Sequence, residues 1–310
     1  MGENGRSGQD AHGARDAHGA QREQHGRAAS RTAVLVCQGR AAADGRAAVG
    51  RFADPVAVRL LRDGERAVVE QVRAGTPPQG WRERTGYESV RACAEVAVPR
   101  TVAIDEALRS RAGSQLVVLG AGLDTRAWRL ADLARTDVWE VDHPASQRDK
   151  RARLAAAGAE PVARSVHFTA VDLAVDDLAT ALAAAGHDPV APTTWLWEGV
   201  VPYLTRAQVR ATLAALAGRT APGSALVLNY QSPSAKAAAG RLLTRLLGDS
   251  VTAGEPWRSL WTPQRMAALL AEHGFRVTAD DDLLTLARAL DTPARGRTSL
   301  RNGRVAVAGS

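Results

Sequence analysis

The chain has 310 residues, 45% of them hydrophobic and 24% charged, with a formal net charge of +7. This composition excludes disorder of the whole chain and supplies enough apolar surface for a buried core. No apolar run approaches the roughly 18 residues of a membrane span, and Cys37 and Cys93 are too few for a disulfide framework and lack zinc-site spacing.

The first thirty residues carry no apolar segment of the secretory type, so the expected compartment is a reducing cytoplasm. Residues 10–14 (DAHGA) recur at 16–20, and residues 1–31 are too poor in apolar side chains to offset the entropy of ordering. A disordered tail is expected there. It holds His12, His18 and His25, but nothing fixes their geometry and no metal site is expected.

From 32 to 112 the pattern is helical. Val34, Leu35, Ala41–Ala43 and Val49 suit one helix. Val56 to Val72 suit another, opened by Asp54 and Pro55 as an acidic cap with Pro at the first position. Residues 75–80 (GTPPQG) form a break, after which a helix approaches Pro99 and a further one follows it. This region is expected to cap a core that occupies 113–310.

The pattern then switches to short β-branched runs: 115–119 (QLVVL), 137–141 (DVWEV), 166–170 (VHFTA), 193–197 (TTWLW), 224–230 (SALVLNY), 275–278 (FRVT) and 304–308 (RVAVA). Helical segments at 145–157, 176–185, 206–218 and 263–273 lie between them. Seven strands alternating with helices predict an α/β fold with a mostly parallel sheet, one of the last two strands being free to enter antiparallel. His167, inside a strand, is expected in the core.

The basic excess does not point to nucleic acid. Only Lys150 and Lys236 are lysines, and the arginines are interleaved with acids, as in 50–112 with 11 Arg against 9 Asp plus Glu. No one-sided cluster with aromatic platforms is present in the sequence. The densest excess, Arg295, Arg297, Arg301 and Arg304, reads as a solvated tail.

In an open α/β sheet the ligand lies beyond the carboxyl ends of the strands. After the first strand come Gly120, Ala121 and Gly122, which let the backbone turn close to a ligand. Asp142 ends the second strand, at the spacing from which a carboxylate reaches a ribose diol. Asp172 and Leu173 follow the third, suited to an adenine amino group and ring, and Glu198 follows the fourth. A dinucleotide site requires a third small residue to receive the pyrophosphate, and that position holds Thr125. S-adenosylmethionine carries no phosphate, so the departure favours the methyl donor over NAD.

LGAGLDTRAWRL at 119–130, EVDHP at 140–144, VDL at 171–173 and WEGVVPYL at 197–204 resemble the leucine carboxyl methyltransferase-like family of S-adenosylmethionine-dependent methyltransferases, in particular its bacterial O-methyltransferase branch. Arg100, Thr101 and Asp105 resemble its RTxxxD element, and residues 52–55 (FADP) its F-x-DP element. The likeness runs over roughly 32–285. It implies a class I methyltransferase (Rossmann-like) fold with an N-terminal helical cap. It further implies that Arg100 holds the methionyl carboxylate, Gly120, Ala121 and Gly122 underlie the methionine, and Asp142 takes the ribose with His143 beside it. Asp172 and Leu173 would meet the adenine, and Glu198 the amino group or sulfonium.

His143 stands where the family often has glutamine, and the segment before Arg100 is rich in Ala, so the acceptor is not carried over. The expected activity is methyl transfer from S-adenosyl-L-methionine to a carboxylate or hydroxyl of a small organic acceptor, leaving S-adenosyl-L-homocysteine. His143 and Tyr203 are the candidates for positioning that acceptor, and no general base or metal ligand is assigned. The competing readings are a protein of the same fold that keeps the nucleoside pocket without methyl transfer (a scaffold or cyclase-type enzyme) and an NAD-dependent oxidoreductase. A nucleic-acid methyltransferase is disfavoured, since EGVVPY replaces the (D/N)PPY-type element.

Overall fold

The computed structural model describes residues 30–111, 113–233 and 257–310. The expected disordered segment therefore lies outside the described residues, apart from Ser30 and Arg31.

Three helices precede the sheet: α1 (Arg31–Ala43), α2 (Asp63–Ala74) and α3 (Trp81–Arg109). The Ser30 side chain caps α1 by accepting the Ala33 N–H at 3.2 Å, and Gly75, at φ 68°, ends α2 in a left-handed turn. Three expectations are corrected here. Asp54 and Pro55 do not open one long helix: a 3₁₀ turn at Ala57–Leu60 is followed by extended Leu61, and only then does α2 begin. The Asp54 carboxylate does accept the Ala57 N–H, but it is also drawn to Arg40 and Thr125. Pro99, for its part, does not divide α3. Buried residues on both sides of it, from Ala97 to Val102, hold the helix together against the missing N–H. Val49 lies beyond α1 and is exposed.

The sheet comprises β1 (Gln115–Leu119), β2 (Asp137–Asp142), β3 (Ser165–Ala170), β4 (Thr193–Trp197), β5 (Ala225–Gln231), β6 (Arg276–Asp282) and β7 (Gly303–Gly309), in the order β3-β2-β1-β4-β5-β7-β6. β1 to β5 are parallel where they pair, and β7 runs antiparallel to both β5 and β6. The connecting helices include α4 (Arg126–Arg129), α5 (Pro144–Ala157), α6 (Leu178–Ala184), α7 (Arg206–Ala217) and α8 (Pro263–Glu272). α9 (Leu283–Ala289) and α10 (Arg297–Asn302) lie between β6 and β7.

Both faces of the central strands are buried, which is why their sequences are continuous apolar runs. On β1, Leu116 and Val118 pack with Cys37, Leu60 and Ile104 of the helical region, while Val117 and Leu119 pack with Trp195, Leu213 and Leu226 on the other face. The N-terminal helices thus share a core with the sheet. The arginine-rich C-terminal segment divides. Arg295, Arg297 and Arg301 are exposed, but Arg304 belongs to β7 and pairs with Asp280 at 2.8 Å, so it is not part of a solvated tail. His167 is half-buried on edge strand β3, where it stacks on Trp139 at 4.9 Å.

The architecture is the Rossmann-like class I methyltransferase fold. Among the described residues no helix is long and apolar enough to cross a membrane.

Candidate functional site

Strand register brings the site together. Leu119 at the end of β1 lies opposite Val141 of β2 and Trp197 of β4, so Gly120, Asp142 and Glu198 emerge side by side. They open into a cavity of about 940 Å³. Arg100, Gly120, Ala121, Gly122, Asp142, His143, Asp172, Leu173 and Glu198 all line it, as does Tyr203. Every site residue expected from the sequence is thereby in one place.

The glycine loop is shaped by steric need. Gly120 has φ 64°, and a Cβ there would stand 2.1 Å from Val200 Cγ2. Gly122 has φ 47°, and its Cβ would meet that of Ala33 on α1 at 3.0 Å. Only glycine meets both demands without displacing its neighbours. Asp142 accepts the Gly122 N–H at 2.5 Å and the His143 N–H at 2.6 Å, which ties the end of β2 to the loop after β1. Burial raises the Asp142 carboxyl above the usual carboxylate range, against the downward pull of those two N–H groups.

His143 caps α5, its Nδ1 accepting the Ala145 N–H at 3.2 Å. Asp172 accepts the Ala174 N–H at 2.9 Å. Tyr203 ends the 3₁₀ turn Val201–Tyr203 that follows β4.

Part of the cavity lining, including Arg40, Arg100, Asp124 and Glu198, belongs to an ionic cluster whose pairing sequence reasoning did not assign. Glu198 stands 2.6 Å from the Nε of Arg100, an ion pair outside hydrogen-bond geometry, and accepts a hydrogen bond from Arg126 at 2.8 Å. Arg126 also donates to Asp105 at 2.7 Å and contacts Asp124. Arg129 donates to Asp105 at 2.7 Å, and Arg40 to Asp54 at 2.7 Å. Burial opposes the charge on Glu198, but Arg100 and Arg126 outweigh it and hold the carboxyl down at about 2.

Asp54, Arg100, Asp105, Asp124 and Arg126 all fall within the sequence motifs noted above, which was the available signal. Apart from the local Arg126–Asp124 contact, the hydrogen bonds that join the cluster span 14 residues (Arg40–Asp54) to 72 (Arg126–Glu198), separations that no local pattern reveals. The lining also includes Asn229 and Gln231 from β5, and Arg31, Trp257 and Arg258 at positions the sequence did not single out.

The same cluster bears on phosphate binding. The first turn after the glycine loop is the four-residue α4, and its leading N–H, from Arg126, is bonded to the Asp124 carboxylate at 2.7 Å. Thr125 turns its hydroxyl to Asp54 at 2.7 Å. A pyrophosphate would find a carboxylate where it needs free N–H groups.

Residues 33–217 match the family model Leucine carboxyl methyltransferase. The chain belongs to that family. The match stops short of the 285 expected from the motifs, so the strands from β5 onward lie outside it. A candidate S-adenosyl-L-methionine-dependent methyltransferase of Mycobacteroides abscessus is 38% identical over 185 residues, covering 58% of this chain and 60% of the relative. One of Mycobacterium tuberculosis is 36% identical over 204 residues, covering 62% and 63%. The match thus spans about three fifths of these relatives' length.

Among solved structures, a candidate methyltransferase of Thermobifida fusca is similar with a TM-score of 0.51 at 19% identity, over 81% of this chain and 92% of that one. A Bordetella parapertussis protein described as exported gives 0.52 at 16%, over 91% and 97%. Those two likenesses concern the fold alone.

Proposed function

We propose that this member of the leucine carboxyl methyltransferase family is an S-adenosyl-L-methionine-dependent O-methyltransferase of its bacterial branch, acting on a small organic acceptor. One observation carries the reading. The ends of four adjacent parallel strands deliver a glycine cradle, Asp142, Asp172 with Leu173, and Glu198 to a single cavity, with Arg100 set against Glu198.

These residues suit a zwitterionic nucleoside without phosphate. The Arg100 guanidinium matches a carboxylate, Glu198 an ammonium, and Asp142 the hydroxyls of a ribose. The positive-φ glycines let the backbone lie against the methionine portion. Asp124, bonded to the N–H after the glycine loop, argues against NAD. The donor supplies an activated methyl group on a sulfonium. The protein's part is to align donor and acceptor and to exclude water, which α1 serves by lying over the glycine loop.

In this reading the division into a helical region over 32–112 and a donor-binding part over 113–310 is functional, since α1 and α3 roof the cavity. His143 and Tyr203 position the acceptor. The His143 Nδ1 is engaged in capping α5, so the neutral ring carries its proton on Nε2 and offers a donor, not a base, to the cavity. An acceptor that arrives as a carboxylate needs no base. The unpaired thiols of Cys37 and Cys93 accord with a cytoplasmic setting.

The test is calorimetric titration with S-adenosyl-L-homocysteine, with Arg100→Ala and Asp142→Ala as controls and NAD as competitor. Micromolar binding, weakened by about 1–3 kcal/mol in each variant and indifferent to NAD, is expected. No binding, or binding of NAD instead, overturns the donor reading. Binding without turnover of a broad acceptor panel points to a scaffold.

A further inference from the structure

We infer that Arg126 is a positioning residue of the donor site, fixing and neutralising Glu198 so that Arg100 is left to serve the ligand. The inference rests on the donor reading above. Arg126 does not line the cavity and is 3% exposed, so it acts through Glu198.

A lone Arg100 beside Glu198 would be consumed by it, because a buried carboxylate draws fully on the one cation it has. The structure supplies a second cation. Arg126 reaches Glu198 Oε2 at 2.8 Å, while Arg100 stands at the other oxygen, Oε1, at 2.6 Å. The carboxylate is thus shared oxygen by oxygen between the two guanidiniums.

Arg126 is itself over-determined. Its Nε donates to Asp105 at 2.7 Å, its backbone N–H to Asp124 at 2.7 Å, and Asp105 is gripped from the other side by Arg129 at 2.7 and 3.1 Å. A guanidinium fork bound on several edges has one orientation, and it transmits that orientation to Glu198. The charged groups that bear on Glu198 are Arg100 of α3, Arg126 of α4, Asp124 of the glycine loop and Arg40 of α1. Of the three cations, Arg126 alone is hydrogen-bonded to Glu198 among the described residues.

The experiment compares wild type with Arg126→Gln and Arg126→Lys in two measurements. The first is S-adenosyl-L-homocysteine affinity between pH 5 and 8. The second is the titration of the Glu198 carboxyl carbon by ¹³C NMR in the ligand-free protein, assigned by its loss in Glu198→Gln. Arg126→Gln is expected to weaken binding by about tenfold or more at pH 7, to weaken it further toward pH 5, and to move the carboxyl titration upward. Arg126→Lys, which keeps the charge, is expected to retain the wild-type pH profile with a smaller loss.

Unchanged affinity and an unchanged carboxyl titration in Arg126→Gln overturn the inference. Should Arg126→Gln fail to fold, Arg126→Lys is measured with and without Glu198→Gln. Equal weakening in the two backgrounds overturns it, and weakening that vanishes without Glu198 supports it. A wild-type protein that takes no S-adenosyl-L-homocysteine overturns the donor reading instead, and the ligand-free titration separates the two failures.

Discussion

Arg40, on α1, donates to the carboxylate of Asp54 at 2.7 Å and to the backbone carbonyl of Leu123 at 2.6 Å. One buried guanidinium therefore joins the first helix, the segment after it and the glycine loop of the sheet. Asp54 is fully buried, receives the Thr125 hydroxyl as well, and has Arg40 as its hydrogen-bonded cation with Arg129 farther off at 3.7 Å. Arg40→Met should destabilise the fold by about 3 kcal/mol, the lower end of the range for breaking a buried pair, because Arg129 still stands 3.7 Å from Asp54. Urea unfolding checks this. Arg40→Met with Asp54→Asn should recover much of the loss.

The glycine loop allows a graded test. Gly120→Ala is strained by its positive φ, at about 1–2 kcal/mol, and by the Val200 methyl in its path. Adding Val200→Ala removes the second cost and leaves the first. Thermal melts of the single and double variants should show partial recovery, and an unchanged melting temperature in Gly120→Ala would contradict the geometry.

Acid sensitivity follows from Glu198. Its folded-state value of about 2 lies below the ordinary carboxylate value of about 4.3. The unfolded chain therefore takes up the proton first as pH falls. The stability that Glu198 contributes is full above about pH 5 and is lost as pH drops toward 2. Glu198→Gln should be less stable than wild type by about 1–3 kcal/mol at pH 7, with the gap narrowing steadily below pH 5 in urea midpoints measured across the range.

A second buried pair behaves differently. Lys150 bonds Glu140 at 2.6 Å and sits 4.8 Å from the Trp128 ring centre. Lys150→Met alone should cost about 1–3 kcal/mol at pH 7, since burial already raises the Glu140 carboxyl to about 7 and without Lys150 it takes up a proton and loses its partner. Lys150→Met with Glu140→Met should restore most of it, because two apolar side chains of similar size need no countercharge. A double variant as unstable as the single one would mean that the pair is held by more than its own charges.

The central strands were legible because burial on both faces leaves no alternation to confuse them: QLVVL and TTWLW can be little else between helical segments. The site positions at the carboxyl ends of those strands followed, whereas Arg100, on α3, was named only by the resemblance. The helical region was less legible. Pro99 reads as a helix end from local rules, yet the packing of Ala97, Val98 and Val102 overrides the one lost hydrogen bond. Asp54 reads as a cap because a cap is local, whereas its partners Arg40 and Thr125 lie 14 and 71 residues away. Arg126 sits in the most recognisable motif of the chain, and its composition says nothing of which three carboxylates it will meet.

β7 comes after β6 in the chain but lies between it and β5, antiparallel to both. A growing chain therefore reaches β6 with nothing to pair it to the sheet. Until β7 is made, the flank of β5, whose residues Ala225 to Tyr230 are buried in the finished molecule, stands as an open edge able to hydrogen-bond a strand of another chain. One strand, β7, thus closes two gaps at once: it covers the flank of β5 and joins β6 to the sheet.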